Sequence, residues 1–360
     1  MIFVPILIVI IIGLFFLEKL SIRYAFKGVG YDIKPKSSMV EVDEEFLVET
    51  TITNTKRFPV DYLRTAELMP DNICISGGDS ELTAVQRGKA LISDTYLLPR
   101  QKLTRTLKAS VPKRGLYYFW GATLTAGSFL GFSERTMDFR FTRVVIAPPK
   151  RIVRPELDQL LGRYIGDISV NRFIMEDPIL TIGFREYTEQ DPMRSICWKQ
   201  TARFGKLMVK NYDHTLDLTV TIIMNLDSAK TAGAETVFSI TRTVCDFLET
   251  SEVPYRLVTN ASVSGTSTNT IIPDGYGGDH YLSTLELLAR AKHSVFESME
   301  EMLAKIAKGA EQGRAHILIT PEVQYSATAY LYKLRARTGK DVLVLTPESL
   351  AESESESAAV

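Results

Sequence analysis

The sequence predicts an α+β multidomain chain: a transmembrane helix at the N-terminus, a β-sandwich, and then a doubly wound α/β domain. Three observations predict it. An uncharged apolar run opens the chain at Met1 to Leu17. Period-two alternation with turn residues fills Tyr31 to Pro148, and past Pro148-Pro149 helical and strand patterns take turns. The expected boundaries are 1–20 for the anchor, 28–149 for the sandwich, 150–348 for the α/β domain with its leading segment, and 349–360 for an acidic tail.

The run MIFVPILIVIIIGLFFL lies near the lower length limit for crossing a bilayer core. No Lys or Arg precedes it, and Leu17-Glu18-Lys19-Leu20 follows it where a cleavable signal would place small residues. The expectation is therefore a retained single-pass anchor in the cell membrane. Lys19, Arg23 and Lys27 on the downstream flank place the following domains in the cytoplasm by the positive-inside rule.

Within the β-rich part, Phe46 to Asn54 and Tyr62 to Leu68 alternate around a Lys56-Arg57-Phe58-Pro59 turn, and further runs follow at 103–111, 116–125 and 139–147. No long amphipathic helix interrupts them, as in a small sandwich. Tyr117-Tyr118-Phe119-Trp120 reads as core aromatics of one strand.

Asp191-Pro192 reads as an N-cap with proline at the first helical position, opening a helix through Arg203 that Gly205 ends. The run Leu216 to Leu226 is nearly continuous and β-branched, which suits a parallel strand buried on both faces. Helices are expected near 235–248, 284–292, 295–308 and 327–337, with strands near 255–259, 316–320 and 342–345. Ser283-Thr-Leu-Glu286 and Ser294-Val-Phe-Glu297 each match a capping box and divide the long helical stretch. Residues 349–360 carry too little apolar surface to fold and are expected to be disordered.

At 360 residues, 45% hydrophobic and 24% charged, the chain is long enough for two globular domains. A formal net charge of −1, from 42 Lys and Arg against 43 Asp and Glu, gives no basic footprint for nucleic acid. Cys74, Cys197 and Cys245 have neither CxxC spacing nor His partners suited to zinc, so reduced buried thiols are expected.

The densest constellation is Gly183-Phe-Arg-Glu-Tyr187, then Asp191-Pro-Met-Arg194, Ile196, Trp198-Lys-Gln-Thr-Ala-Arg203, Leu207 and Val209-Lys210. This string resembles the signature of the domain of unknown function 58 family, over about residues 160–347. The resemblance implies a von Willebrand factor A-like α/β domain in a bacterial or archaeal protein. It also implies a link to MoxR-type AAA+ ATPases and a role in assembly or maturation. Read from the residues alone, Arg194 and Trp198 stand four apart on the expected helix and can pair as cation and ring. Arg185 and Arg203 can clamp a carboxylate or phosphate, or hold the segment through structural ion pairs. Arg185, Asp191, Arg194, Trp198 and Arg203 are the candidate partner-binding residues.

Von Willebrand A domains often hold Mg²⁺ through D-x-S-x-S with a Thr and an Asp from other loops. The resemblance therefore directs attention to Asp227-Ser228-Ala-Lys-Thr231, in which Ala229 removes one hydroxyl. Asp227, Ser228 and Thr231 are the candidate ligands of a degenerate site, and no other cofactor is implied. Nucleophile and phosphate motifs such as G-x-S-x-G, H-E-x-x-H and G-x-x-x-x-G-K-[ST] are absent from the sequence. His214, between Asp213 and Asp217, and His280, after Gly275-Tyr-Gly-Gly-Asp279, are the histidines a base would come from. The leading expectation is a membrane-anchored, non-enzymatic adaptor. The alternative is a hydrolase or ligand-binding protein with its site in the sheet-end loops around Asp227, His280 and Thr320.

Overall fold

The computed structural model describes residues 3–76, 82–85, 88–128, 130–172, 181–188, 191, 193–212, 218–227, 231–264 and 270–349. The chain divides into two compact units, Met1–Lys150 and Arg151–Val360.

The first unit opens with α1 (Phe3–Tyr24) and continues with β1 (Val29–Pro35), β2 (Phe46–Asn54), β3 (Val60–Met69), β4 (Cys74–Ser76) and β5 (Leu82–Val85). β6 (Gly88–Leu97), β7 (Lys102–Ser110), β8 (Gly115–Gly127) and β9 (Glu134–Ala147) complete it. One sheet has the order β1-β2-β7-β4 and the other β5-β6-β3-β8-β9. Their strand pairs are antiparallel. Strict alternation along β2 turns Phe46, Val48 and Ile52 inward, where they join Leu63, Leu91, Phe119 and Leu124 of the second sheet in one core. Each such side chain, taken fully out of water, contributes about 1.5–3 kcal/mol.

The same alternation corrects the reading of the aromatic run in β8. Tyr117 and Phe119 are buried, but Trp120 is 53% exposed and stacks on Tyr118 with ring centroids 5.2 Å apart. Neighbouring residues of a strand point to opposite faces, so four consecutive aromatics cannot all reach one core. Cys74 is exposed as well, and only Cys245 of the three thiols is fully buried.

The expected transmembrane helix is not supported: among the described residues, no helix is long and apolar enough to cross a membrane. The physical reason lies in α1 itself. Its uncharged stretch ends at Leu17, and the fifteen residues from Phe3 to that point span about 22 Å at ~1.5 Å per residue, against ~30 Å of bilayer core. Glu18 then turns into the β unit, where its carboxylate accepts from the Ser128 hydroxyl and from Leu130 N at 2.8 Å. The Ser128 bond, with the backbone bonds at Leu130 and Phe132, holds Glu18 below the usual carboxylate range despite the opposing cost of desolvation. Ala25 and Phe26, just beyond the helix, are part of the β-unit core.

The second unit begins with α2 (Pro155–Arg172), β10 (Thr181–Glu186), α3 (Trp198–Phe204), β11 (Met208–Tyr212), β12 (Val220–Met224) and α4 (Thr231–Thr250). β13 (Tyr255–Thr259), β14 (Ala261–Val263), β15 (Ile271–Gly275), α5 (Gly278–Arg290) and β16 (Ala291–Val295) follow. The last elements are α6 (Met299–Lys308), β17 (Ala315–Ile319), α7 (Tyr325–Thr338) and β18 (Val342–Leu345). The central sheet has the order β15-β13-β12-β17-β18, parallel except for the edge strand β15.

Every residue of β12 and β17 is buried, as the near-continuous apolar runs require for strands covered on both faces. Val220, Ile222 and Met224 pack with α2, α4 and α5 on one side. Ile223, Val258 and Leu318 pack with α6 and α7 on the other.

The two helix starts expected from capping boxes differ in the structure. α5 opens at Gly278, so Ser283 lies inside it and donates to the Asp279 carbonyl at 2.8 Å instead of capping. Ser294 sits in β16, which pairs with β14, and the cap of α6 is Ser298, whose hydroxyl accepts from Glu301 N at 3.3 Å. Strand pairing recruits Ala291–Val295, a short segment whose pattern is also compatible with helix. In the expected tail, residues 350–360 lie outside the described residues.

Candidate functional site

β10 and β11 pair antiparallel, with Phe184 opposite Lys210 and Arg185 opposite Val209. The chain between them makes one 3₁₀ turn at Met193–Ser195, bridges Ile196 to Val209, and enters α3 after Cys197 N donates to Met208 O at 2.8 Å. Both terminal nitrogens of Arg185 donate to the Asp191 carboxylate, at 2.6 and 2.5 Å. Thr188 adds its backbone N–H at 2.9 Å and its hydroxyl at 2.7 Å. The Arg185 guanidinium, followed by the two Thr188 donors, holds Asp191 far below the usual carboxylate range.

That network replaces the expected helix over 191–203. The Asp191 carboxylate is committed to Arg185 and Thr188, and the bridge at Ile196 keeps Cys197 extended, with φ −94° and ψ 92°, so α3 starts only at Trp198. Gly205 closes it in the left-handed region at φ 67°, its N–H bonded to Thr201 O at 2.9 Å. Arg194 therefore belongs to a separate turn, and the helical four-residue spacing to Trp198 does not arise; the Arg194 side chain lies outside the described residues. Arg185 and Arg203 have separate partners, since Arg203 sits over the neighbouring Phe204 ring at 6.0 Å.

α3 buries none of its residues. Trp198 is 66% exposed, Phe204 60% and Met193 74%, with Phe184 and Leu207 exposed beside them. The signature string thus forms a braced hairpin and helix that leaves its large apolar side chains in solvent.

The second candidate region is the carboxyl end of the central sheet. Asn225 and Asn260, both fully buried, close it. Asn260 Nδ2 donates to Asn225 Oδ1 at 2.7 Å, Asn225 Nδ2 to Thr320 Oγ1 at 3.0 Å, and Leu226 N to Asn260 Oδ1 at 2.9 Å. Asp227 N donates to Asn225 Oδ1 at 3.0 Å, and the Asp227 carboxylate accepts from Met299 N at 3.3 Å. Ser228 and the Thr231 side chain lie outside the described residues, although Thr231 opens α4. Among the described residues, no group of three or more His, Cys, Asp or Glu could hold a metal ion.

Asp227 and Thr320 follow the carboxyl ends of β12 and β17. His280 lies at the other end of the sheet, packed edge-on against Tyr255, the first residue of β13, with ring centroids 4.6 Å apart. Its Nε2 bonds the Pro273 carbonyl at 3.0 Å, and the absence of a side chain at Gly275 makes room, since a Cβ there would lie 2.7 Å from the ring. The three residues of the expected sheet-end site do not converge. His214 lies outside the described residues.

Asn260 was not singled out from the sequence. Its signal was nonetheless present: Asn225 and Asn260 each directly follow a β-branched strand, where an amide can serve both a turn and its neighbour.

Residues 183–343 match the family described as "Protein of unknown function DUF58". No curated protein matches the chain. Among solved structures, a cohesin module from a Clostridium perfringens family 33 glycoside hydrolase is 16% identical over 33% of this chain and 96% of that one, with a TM-score of 0.25. The CARDB domain of the PF1109 protein from Pyrococcus furiosus is 13% identical over 33% and 86%, with a TM-score of 0.22. The C-terminal domain of wzt is 9% identical over 33% and 73%, with a TM-score of 0.23. Likenesses at this level bear on no functional argument.

Proposed function

Residues 183–343 belong to the DUF58 family of unknown function, and from that premise we propose that the chain is a non-enzymatic protein–protein interaction adaptor. Its contact surface is the β10–α3–β11 segment, presented by a von Willebrand factor A-like α/β domain. Its partner is a MoxR-type AAA+ ATPase, engaged in the assembly or maturation of other proteins or of the cell envelope. One observation carries the reading: α3 buries none of its own residues while Trp198, Phe204 and Met193 stand exposed around it. Large apolar side chains left in solvent along one short segment support a docking surface, and Trp is among the residues that dominate such interfaces. The Arg185–Asp191 pair pre-orders the segment and so lowers the entropy lost on docking.

The test is binding of the purified full-length chain to the MoxR-type ATPase of the same source, with ATP and Mg²⁺ present. Trp198→Ala and Phe204→Ser, each checked for unchanged thermal unfolding, are expected to weaken binding about tenfold or more. No binding by the wild-type chain removes the ATPase as partner. Binding that survives both substitutions removes this surface.

A further inference from the structure

Thr221 stands opposite Arg256 on one neighbouring strand and opposite His316 on the other, so the three form a row across the parallel sheet. The row lies on the face covered by α6, and Arg314, two residues before His316, points the same way. Between this row and the α6 side chains Met302 and Ile306 lies a cavity of about 280 Å³, just below the ~300–1,000 Å³ usual for ligand sites. An otherwise apolar sheet thus carries a band of polar groups where it faces an opening.

The groups in the band differ in how far they are satisfied. Arg314 is fully engaged: it donates to both oxygens of Asp274 at 2.7 and 3.1 Å, to Glu311 at 3.0 and 3.2 Å, and to Thr221 Oγ1 at 3.3 Å. Arg256 gives Asp274 one bond from Nη2 at 2.6 Å, and no further acceptor for it is found among the described residues. Among the described residues, the remaining N–H groups of Arg256, on the cavity wall, meet no acceptor. Two guanidiniums therefore share one carboxylate, while Glu311, at 65% exposure, answers Arg314 from the solvent side. Lys305 and Glu297, also on the cavity wall, neutralise each other. His316 is 2% exposed, lines the cavity, and has a buried Nδ1 without a hydrogen-bond partner. Among the described residues, that buried imidazole nitrogen is an unmet bonding capacity on a residue of the cavity wall.

We propose that this cavity binds a small organic carboxylate with an apolar body. Its anionic head lies between the free edge of the Arg256 guanidinium and the His316–Thr221 pair, and its body lies against Met302 and Ile306. Arg256 supplies the charge, since a planar guanidinium matches a carboxylate. His316 Nδ1–H and the Thr221 hydroxyl donate to the head, and the limited volume restricts the body to a short aliphatic chain or a single ring. This site is separate from the α3 surface and does not depend on that surface's function.

The test titrates the full-length chain with sodium butyrate and sodium phenylacetate at constant ionic strength, following the His316 ring resonance, assigned by its loss in His316→Gln, together with calorimetry. Butyramide and butylamine serve as controls. Saturable movement of the His316 signal by the carboxylates alone is expected. Arg256→Gln should weaken the binding about tenfold or more. Ala310→Phe, which fills the cavity, should abolish it while the chain still unfolds cooperatively. The proposal is overturned if neither carboxylate moves the His316 signal in folded protein, if butyramide binds equally well, or if Arg256→Gln binds with unchanged affinity.

Discussion

Asn225 and Asn260 hold each other across the carboxyl ends of β12 and β13, with Asn260 Nδ2 donating to Asn225 Oδ1 at 2.7 Å in a fully buried setting. Each amide also serves the backbone after β12, where Leu226 N bonds Asn260 and Asp227 N bonds Asn225. Asn260→Ala would strand the Leu226 N–H in the interior and take one of its two donors from Asn225 Oδ1, at about 1–3 kcal/mol for a group left unpaired. The expected outcome is a fall in urea stability of about 2–3 kcal/mol, with a double-mutant cycle against Asn225→Ala showing non-additivity of ~0.5 kcal/mol or more. Additive losses would mean that the two side chains do not act together.

The Arg185–Asp191 pair should brace the hairpin locally without supporting the sheet core. Arg185→Met is expected to leave the urea midpoint nearly unchanged while speeding amide exchange through β10 and β11. Asp191 titrates lower in the folded chain than in the unfolded one. Its contribution is therefore present above the unfolded carboxylate pKa near 3.9 and is lost as pH falls below it. Exchange in the hairpin should rise in that acidic range in the wild type and be already raised, and flatter with pH, in Asp191→Asn.

Burial holds the His316 imidazole at a pKa of about 4, below the ordinary value of 6.5. Between those two values the unfolded chain binds a proton that the folded chain does not, so stability rises with pH across the window. A shift of this size amounts to roughly 3 kcal/mol at ~1.4 kcal/mol per pH unit. His316→Phe should flatten the difference in stability between pH 6.5 and 4 by an amount of that order. A parallel pair of pH profiles would show that His316 does not carry the effect.

In the first unit, Arg105 Nη2 bonds Glu67 Oε1 at 2.8 Å, and Glu67 is fully buried. Burial pushes the Glu67 carboxyl up, and Arg105 pulls it back. Arg105→Met strands that carboxylate and should cost about 3–5 kcal/mol by thermal or urea unfolding, while Arg105→Met with Glu67→Met should recover much of the loss. Equal losses in the single and double variants would argue against a coupled pair.

Ser298→Ala should cost about 1 kcal/mol, because the hydroxyl caps α6 through Glu301 N. Ser283→Ala and Ser294→Ala, which cap nothing, should stay within ~0.5 kcal/mol of wild type. The three values, from one denaturant series, identify the helix start directly.

The β2, β3, β7 and β8 strands, the buried runs of β12 and β17, and the string from Gly183 to Lys210, inside the span that matches the family, are legible in the amino-acid order alone. These are local signals. Alternation and continuous β-branched runs follow from backbone geometry within a few residues, so they are legible without knowing the partner strand. Long-range packing resolves competitions between locally acceptable arrangements. Asp191 can cap a helix or grip Arg185, and the bridge of Ile196 to Val209 settled it. Residues 291–295 can continue a helix or pair with β14, and the pairing won. The apolar start of α1 reads as a membrane span until Glu18 meets Ser128, more than a hundred residues away. The row of Arg256, Thr221 and His316 comes from three separate strands and has no sequence signature, because strand register is set by the packing of the whole sheet.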